Sequence, residues 1–222
     1  MSVKAVAFDI DGTLYPNRSM YFHSIPFYLS HFRLISAFSK IRKDIRKITP
    51  VDDFPALQAE LFAKELSIEP EEAGQIIEKV FFSDWELIFK RVRIFPGARE
   101  LLLSLQERGI KTAALSDFPV GNKLNYFNLA DCWDVIMSSD ESGYLKPSRE
   151  PFLELAKRLD VKPEEVLYVG NNSAYDVGGS RAAGMMSAHV KPFWKKGNPQ
   201  ADCRFSRYSQ LSEFIDGLLR GE

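Results

Sequence analysis

From Phe95 onward, short apolar runs alternate with stretches of helical periodicity, a pattern that few folds accept. Ile110 to Leu115, Val135 to Ser138, Val166 to Val169 and residues 187–190 read as strands. Helical stretches lie between and around them: one to about Arg108, closed by Gly109, others near 120–130, about 150–159, and near 175–183, closed by Gly184. Strands that take turns with helices imply an α/β fold, a Rossmann-like parallel sheet with helices on both faces. One further strand, residues 3–8, stands apart from the rest. After it the pattern is helical for about eighty residues, through 34–48, 53–67 and 70–91. The expected division is therefore a core of residues 1–15 plus 95–222, with a helical cap, 16–94, inserted after the first strand.

Composition narrows the function classes. Lys and Arg number 29 against 30 Asp and Glu, a balance without the basic surplus of a nucleic-acid-binding domain, so no nucleic-acid partner is expected. Cys132 and Cys203 form no CxxC pair and read as reduced thiols. The stretch Met20 to Ile41 is apolar but interrupted by His23, Pro26, His31 and Arg33, so no membrane insertion is expected. The N-terminal segment lacks a signal-peptide pattern, and the cytoplasm is the expected compartment.

The segment Asp9-Ile10-Asp11-Gly12-Thr13-Leu14 carries the chemistry. Two acids two residues apart at a strand end send both carboxylates to one side. Gly12 permits a sharp turn after them, and Thr13 can cap or fix it. Adjacent carboxylates repel unless a cation or a proton lies between them, which suggests a hard divalent ion with oxygen ligands.

This segment resembles the first motif of the haloacid dehalogenase-like (HAD) phosphatase superfamily, and three further segments resemble its other motifs in the same order. Ser116 follows a strand, as in the second motif. Gly143-Tyr144-Leu145-Lys146-Pro147 is similar to the third, and Gly170-Asn171-Asn172-Ser173-Ala174-Tyr175-Asp176 to the fourth. The resemblance covers the whole core, and the insertion is similar to the family's small helical cap. It implies a phosphatase that hydrolyses a small phosphate monoester through an aspartyl-phosphate, with Asp9 as nucleophile and Asp11 as general acid and base. It implies phosphate binding by Ser116, the backbone around Asp117 and Lys146. It also implies Mg²⁺ held by Asp9, the carbonyl of Asp11, Asn171 and Asp176.

At Asn171 the chain departs from the family, which usually has an acid there. An amide oxygen can bind Mg²⁺ but contributes no charge, so weaker metal binding is expected, or a catalytically weak binding or regulatory protein. Dehalogenases of the superfamily also carry an Asn near this point but lack the second carboxylate of the first motif, and Asp11 favours phosphotransfer. A phosphomutase differs only in its acceptor. The cap is unusually aromatic at Tyr21, Phe22, Phe27, Tyr28, Phe32 and Phe38, and basic from Arg33 to Lys47. It reads as a packed helical layer with a solvated basic face, or else as an aromatic-lined pocket or an anionic partner surface. His189, at a strand end, has no recognisable partner pattern. Oligomeric state is left open.

Overall fold

The computed structural model describes residues 3–192 and 194–221; residues 1, 2 and 222, the outer limits of the expected core, and residue 193 lie outside the described residues. Six parallel strands form one sheet in the order β3-β2-β1-β4-β5-β6. They are β1 (Ala5–Phe8), β2 (Lys111–Ser116), β3 (Val135–Ser138), β4 (Val166–Gly170), β5 (Met186–Val190) and β6 (Cys203–Phe205). Alternation along β1 divides the core in two. Val6 and Phe8 face one side, where they pack with Leu101, Leu102 and Leu105 of α4 (Ala98–Glu107) and with Leu211 and Ile215 of α8 (Tyr208–Arg220). Ala5 and Ala7 face the other, against Phe152, Leu155 and Ala156 of α6 (Glu150–Arg158). The parallel sheet with helices on both faces expected from the alternation is therefore present. The strand β6 and the helix α8 extend it beyond the expected elements.

The inserted layer is helical throughout, but not uniformly α-helical. Its elements are α1 (Asn17–Ile45), α2 (Phe54–Leu66) and α3 (Pro70–Ile76). The last continues as a π-helical stretch, Ile77–Asp84, and a 3₁₀ stretch, Trp85–Arg91. The long α1 breaks at His31, whose φ of −123° and ψ of 21° leave the helical region. Pro26 lies one turn before the break and has no N–H to donate. Ser30 Oγ donates to the carbonyls of Pro26 and Phe27, and His31 Nδ1 lies 3.1 Å from the latter, so side chains take up carbonyls around the break. The second half of α1 then packs Phe38 and Ile41 against Phe62 and Phe81 and runs back towards the sheet.

The chain leaves and re-enters the core at adjacent points: Phe95 N–H donates to the Leu14 carbonyl at 2.8 Å. A second tie joins layer and core where Ile45, Val51 and Phe54 pack with Leu145 of the loop after β3. On the core side, Tyr208 Oη of α8 reaches the buried carbonyl of Thr13 at 2.8 Å and anchors the turn that follows β1. Tyr208→Phe removes that donor without opening a cavity. It should lower the unfolding free energy by about 1–2 kcal/mol in urea titration, and an unchanged midpoint would mean that the bond stabilises nothing.

Candidate active site

Parallel strands present their carboxyl ends together, and the strand order reverses around β1, so the loops leaving β2, β1 and β4 enclose a crevice. Asp9 follows β1, Ser116 ends β2 and Asn171 follows β4; the loop after β3 brings in Lys146. Asp9, Ser116, Asp117, Lys146 and Asp176 are all buried.

Lys146 is the hub. Its Nζ lies 2.8 Å from Asp9 Oδ1 and 2.9 Å from Asp176 Oδ1, and it also reaches Tyr168 Oη at 3.1 Å and the Leu115 carbonyl at 3.3 Å. Thr13 Oγ1 donates to Asp9 Oδ2 at 2.7 Å, so each oxygen of Asp9 has its own donor. Asp176 Oδ2 accepts the backbone N–H groups of Asn171 and Asn172 at 3.1 and 2.8 Å. Gly170 has to be glycine for this approach, because a Cβ there would overlap the Asp176 side chain. Gly12, at φ +90°, makes the turn after Asp11, and a Cβ there would run into the side chains of Asn171 and Asn17.

Asp11 is held apart from this cluster. Tyr15 Oη donates to its Oδ1 at 2.6 Å, and Lys123 Nζ lies 3.1 and 3.0 Å from its two oxygens. Asp117 does not aim its carboxylate at the crevice. Arg46 Nη2 pairs with its Oδ2 at 2.5 Å, and the Lys146 N–H donates to its Oδ1 at 3.2 Å. Burial works against that charge, but Lys146, Arg46 and Arg42 hold the carboxyl below the usual carboxylate range. Arg42 Nη2 also donates to the Asp117 carbonyl, and its guanidinium sits over the Phe118 ring. Ser116 Oγ accepts the Phe118 N–H at 3.1 Å, which leaves its hydroxyl proton to donate elsewhere.

Asn171 is oriented by its neighbours in a way that the sequence does not reveal. Its Nδ2, not its oxygen, faces the Asp11 carbonyl, donating at 3.0 Å. His189, without a recognisable partner in the sequence, accepts the Asn198 N–H at Nδ1 and donates from Nε2 to the Asn171 carbonyl at 2.9 Å. Among the described residues, no three His, Cys, Asp or Glu side chains gather as a metal cluster. The oxygens of Asp9, Asp176 and the Asp11 carbonyl nonetheless suit a Mg²⁺ ion of the kind that keeps several waters. Asn171 joins them only if its amide turns over. Two oxygens would then face each other, an arrangement that needs a cation between them.

The aromatic residues of α1 divide between packing and solvent. Tyr21, Phe22 and Phe32 are exposed, and Phe27 and Phe38 belong to the packed helical layer. The aromatic cleft is formed by Phe81, Phe82, Trp85, Phe89 and Phe118, with Lys123 and Glu86. Cys132 and Cys203 are free thiols, as expected.

Burial pushes the Asp9 carboxyl up to about 7, against the pull of Lys146 and with help from the charges of Asp176 and Asp11. In the unfolded chain the group ionises near its ordinary value of 3.8, so between about pH 4 and pH 7 the folded protein binds the extra proton. Its contribution to stability is complete below that window and is lost as pH rises through it. In metal-free protein, unfolding titrations should show Asp9→Asn gaining stability relative to wild type from pH 4 to pH 7. A difference independent of pH would mean that Asp9 ionises normally.

Residues 3–184 match the haloacid dehalogenase-like hydrolase family. The chain is 27% identical over 204 residues to a glyceraldehyde 3-phosphate phosphatase of Methanopyrus kandleri, covering 85% of this chain and 84% of that one. In structure it resembles a 2-haloacid dehalogenase from Pseudomonas syringae pv. Tomato, with TM-score 0.71, 22% identity, and 96% and 98% of the two chains covered. It also resembles a HAD phosphatase from Thermococcus onnurineus, with TM-score 0.65, 21% identity, and 97% and 99% covered. With four motif loops converging on Lys146 and the family match spanning most of its length, the chain belongs to the haloacid dehalogenase-like hydrolases.

Proposed function

We propose that the protein is a phosphatase that hydrolyses a small phosphate monoester through an aspartyl-phosphate on Asp9. The observation that supports this best is the pair of donors on Asp9: Lys146 on one oxygen and Thr13 on the other. A buried carboxylate pinned in this way loses little entropy on attacking phosphorus. In the first step a bond forms from Asp9 to phosphorus, the ester P–O bond breaks, and the leaving oxygen takes a proton from Asp11. In the second step Asp11 takes a proton from water, the water oxygen bonds to phosphorus, and Asp9 is released with inorganic phosphate. Ser116 and the backbone N–H groups around Asp117 would hold the phosphoryl oxygens, and Lys146 would offset their charge.

Asp9, the Asp11 carbonyl, Asp176 and a turned-over Asn171 would hold Mg²⁺, which when bound neutralises phosphoryl charge next to Asp9. The presence of Asp11 favours phosphotransfer over dehalogenation, which needs no acid for the leaving group. Residues 16–94 would form the cap over the core of 1–15 and 95–222, excluding water when seated. The named activity of the Methanopyrus kandleri relative, on glyceraldehyde 3-phosphate, places small sugar phosphates first among the esters to test.

Incubation with a panel of phosphate monoesters and Mg²⁺ should release phosphate, and Asp9→Asn should abolish the release while Ser116→Ala leaves a measurable part of it. Equal rates in wild type and Asp9→Asn would remove Asp9 from the nucleophile's role. Asn171→Asp should bind Mg²⁺ more tightly in calorimetric titration, since a carboxylate attracts a hard cation more than an amide does. Unchanged binding would mean that the side chain at position 171 does not reach the metal.

A further inference from the structure

Lys123 lies outside all four motifs, 112 residues from Asp11 in sequence, yet both oxygens of Asp11 are within hydrogen-bond reach of its Nζ. Its side chain is buried, with the Phe89 ring 4.8 Å and the Phe118 ring 6.0 Å from the ammonium. An ammonium removed from water in this way requires an anionic partner, and Asp11 is the carboxylate paired with it. Tyr15 supplies a third bond from the opposite side of the chain turn, to Oδ1. The Asp11 carboxylate is thus fixed in direction by two residues that also face the aromatic layer: Tyr15 packs on Phe89 and Phe127, and Lys123 lines the aromatic cleft between residues 81–89 and 118–119.

We infer that Lys123 is a positioning residue for Asp11, aiming that carboxylate at the leaving-group oxygen. The inference rests on the phosphatase reading above and deepens it.

The helical layer itself controls where Lys123 stands. Glu86 accepts the Asn122 N–H at Oε1, and its Oε2 lies 3.4 Å from Asn122 Nδ2, in the turn that immediately precedes Lys123. On the other side of the same loop, Arg42 and Arg46 hold Asp117. The loop from Asp117 to Lys123 is gripped at both ends by the inserted layer, and its last residue reaches Asp11. Seating of the layer therefore carries through to the direction of the general acid.

The test compares two esters. An alkyl phosphate releases a poor leaving group that needs a proton, whereas p-nitrophenyl phosphate releases a stable phenolate that does not. Both esters share the second step, in which Asp11 takes the proton of water, so the skew is read in kcat/KM, which reports the first step. There a misaimed Asp11 slows the alkyl ester and spares the aryl one. Lys123→Met should therefore lower kcat/KM on the alkyl ester by at least about tenfold more than on the aryl ester, within the range that general acids supply. Inhibition by inorganic phosphate should stay near wild type, and Lys123→Arg should restore part of the loss. In an Asp11→Asn background, Lys123→Met should add no further skew between the esters. Equal losses of kcat/KM on both esters, or weaker inhibition by inorganic phosphate with no skew between the esters, would overturn the inference and leave Lys123 as a packing residue. If Lys123→Met fails to fold, Glu86→Gln supplies the comparison, with a smaller skew of the same sign expected and no skew counting against the inference. Wild-type protein that hydrolyses neither ester would bring down the phosphatase reading, a result distinct from a phosphatase with no skew.

Discussion

A buried ammonium between two buried carboxylates holds the motif loops in place. Lys146 comes from the loop after β3, Asp9 from the end of β1 and Asp176 from beyond β4, and their two ion pairs are 2.8 and 2.9 Å long. Burial alone would strip Lys146 of its proton; the surrounding carboxylates instead keep its pKa well above the ordinary value. An ion pair in such a place often adds little net stability compared with an apolar core, so its worth lies in position. Everything around it serves that position: Tyr168 from beneath, the Leu115 carbonyl beside Ser116, and two backbone N–H groups on the far oxygen of Asp176. Apart from Tyr168, in the middle of β4, each of these partners stands at or just beyond the carboxyl end of a strand, where a parallel sheet brings chain segments distant in sequence together.

The second constraint is the contact between layers. Arg46 alone touches three motif loops: its Nη2 meets Asp117, its Nε donates to the Lys146 carbonyl at 3.0 Å, and its guanidinium lies over the Tyr175 ring. Arg42, one helical turn earlier, shares the Asp117 loop and leaves its Nε buried without a hydrogen-bond partner. The break at His31 turns the second half of α1 so that these two side chains arrive where they do. The basic stripe of α1 is thus only partly a solvated face: Lys40 and Lys47 remain outside, while Arg42 and Arg46 are drawn into the core.

The strands and the four motifs were legible because each depends on neighbours close in sequence. Apolar runs reveal a buried strand, and Asp9-x-Asp11-Gly12-Thr13 encodes a turn whose donors, such as Thr13, lie four residues away. The strand β6 was not legible, since in Cys203-Arg204-Phe205 only Phe205 is buried. The helix expected near 120–130 shrinks to Lys123–Tyr126, α5, and the one near 175–183 divides into a π turn and the short α7 (Gly179–Ala182). These differences arise because the loops must reach the crevice, which overrides helical periodicity. Lys123, Arg46 and His189 act across distances that no spacing rule covers, and nothing local marks them. The aromatic residues of α1 left two readings open, a packed layer and a pocket wall. Phe27 and Phe38 take the first, and the cleft is built from Phe81, Phe82 and Trp85, residues further along in irregular helix.

The hydrogen bond from Phe95 to Leu14 has an evolutionary consequence. Because the inserted layer leaves and returns at neighbouring points, the sheet sees it as a closed loop whose ends are already joined. Lengthening such a loop adds only a slowly growing entropy of closure. The layer can therefore be enlarged, shortened or exchanged without disturbing the strands, much as whole domains tolerate insertion where their ends meet. A lineage built on this plan can exchange the inserted layer and keep the same ion pair of Asp9 and Lys146 beside it. The revision meets resistance where the layer touches the core, at the arginines and Glu86 and where Ile45, Val51 and Phe54 pack on Leu145, so those crossing residues must change together with the layer that carries them.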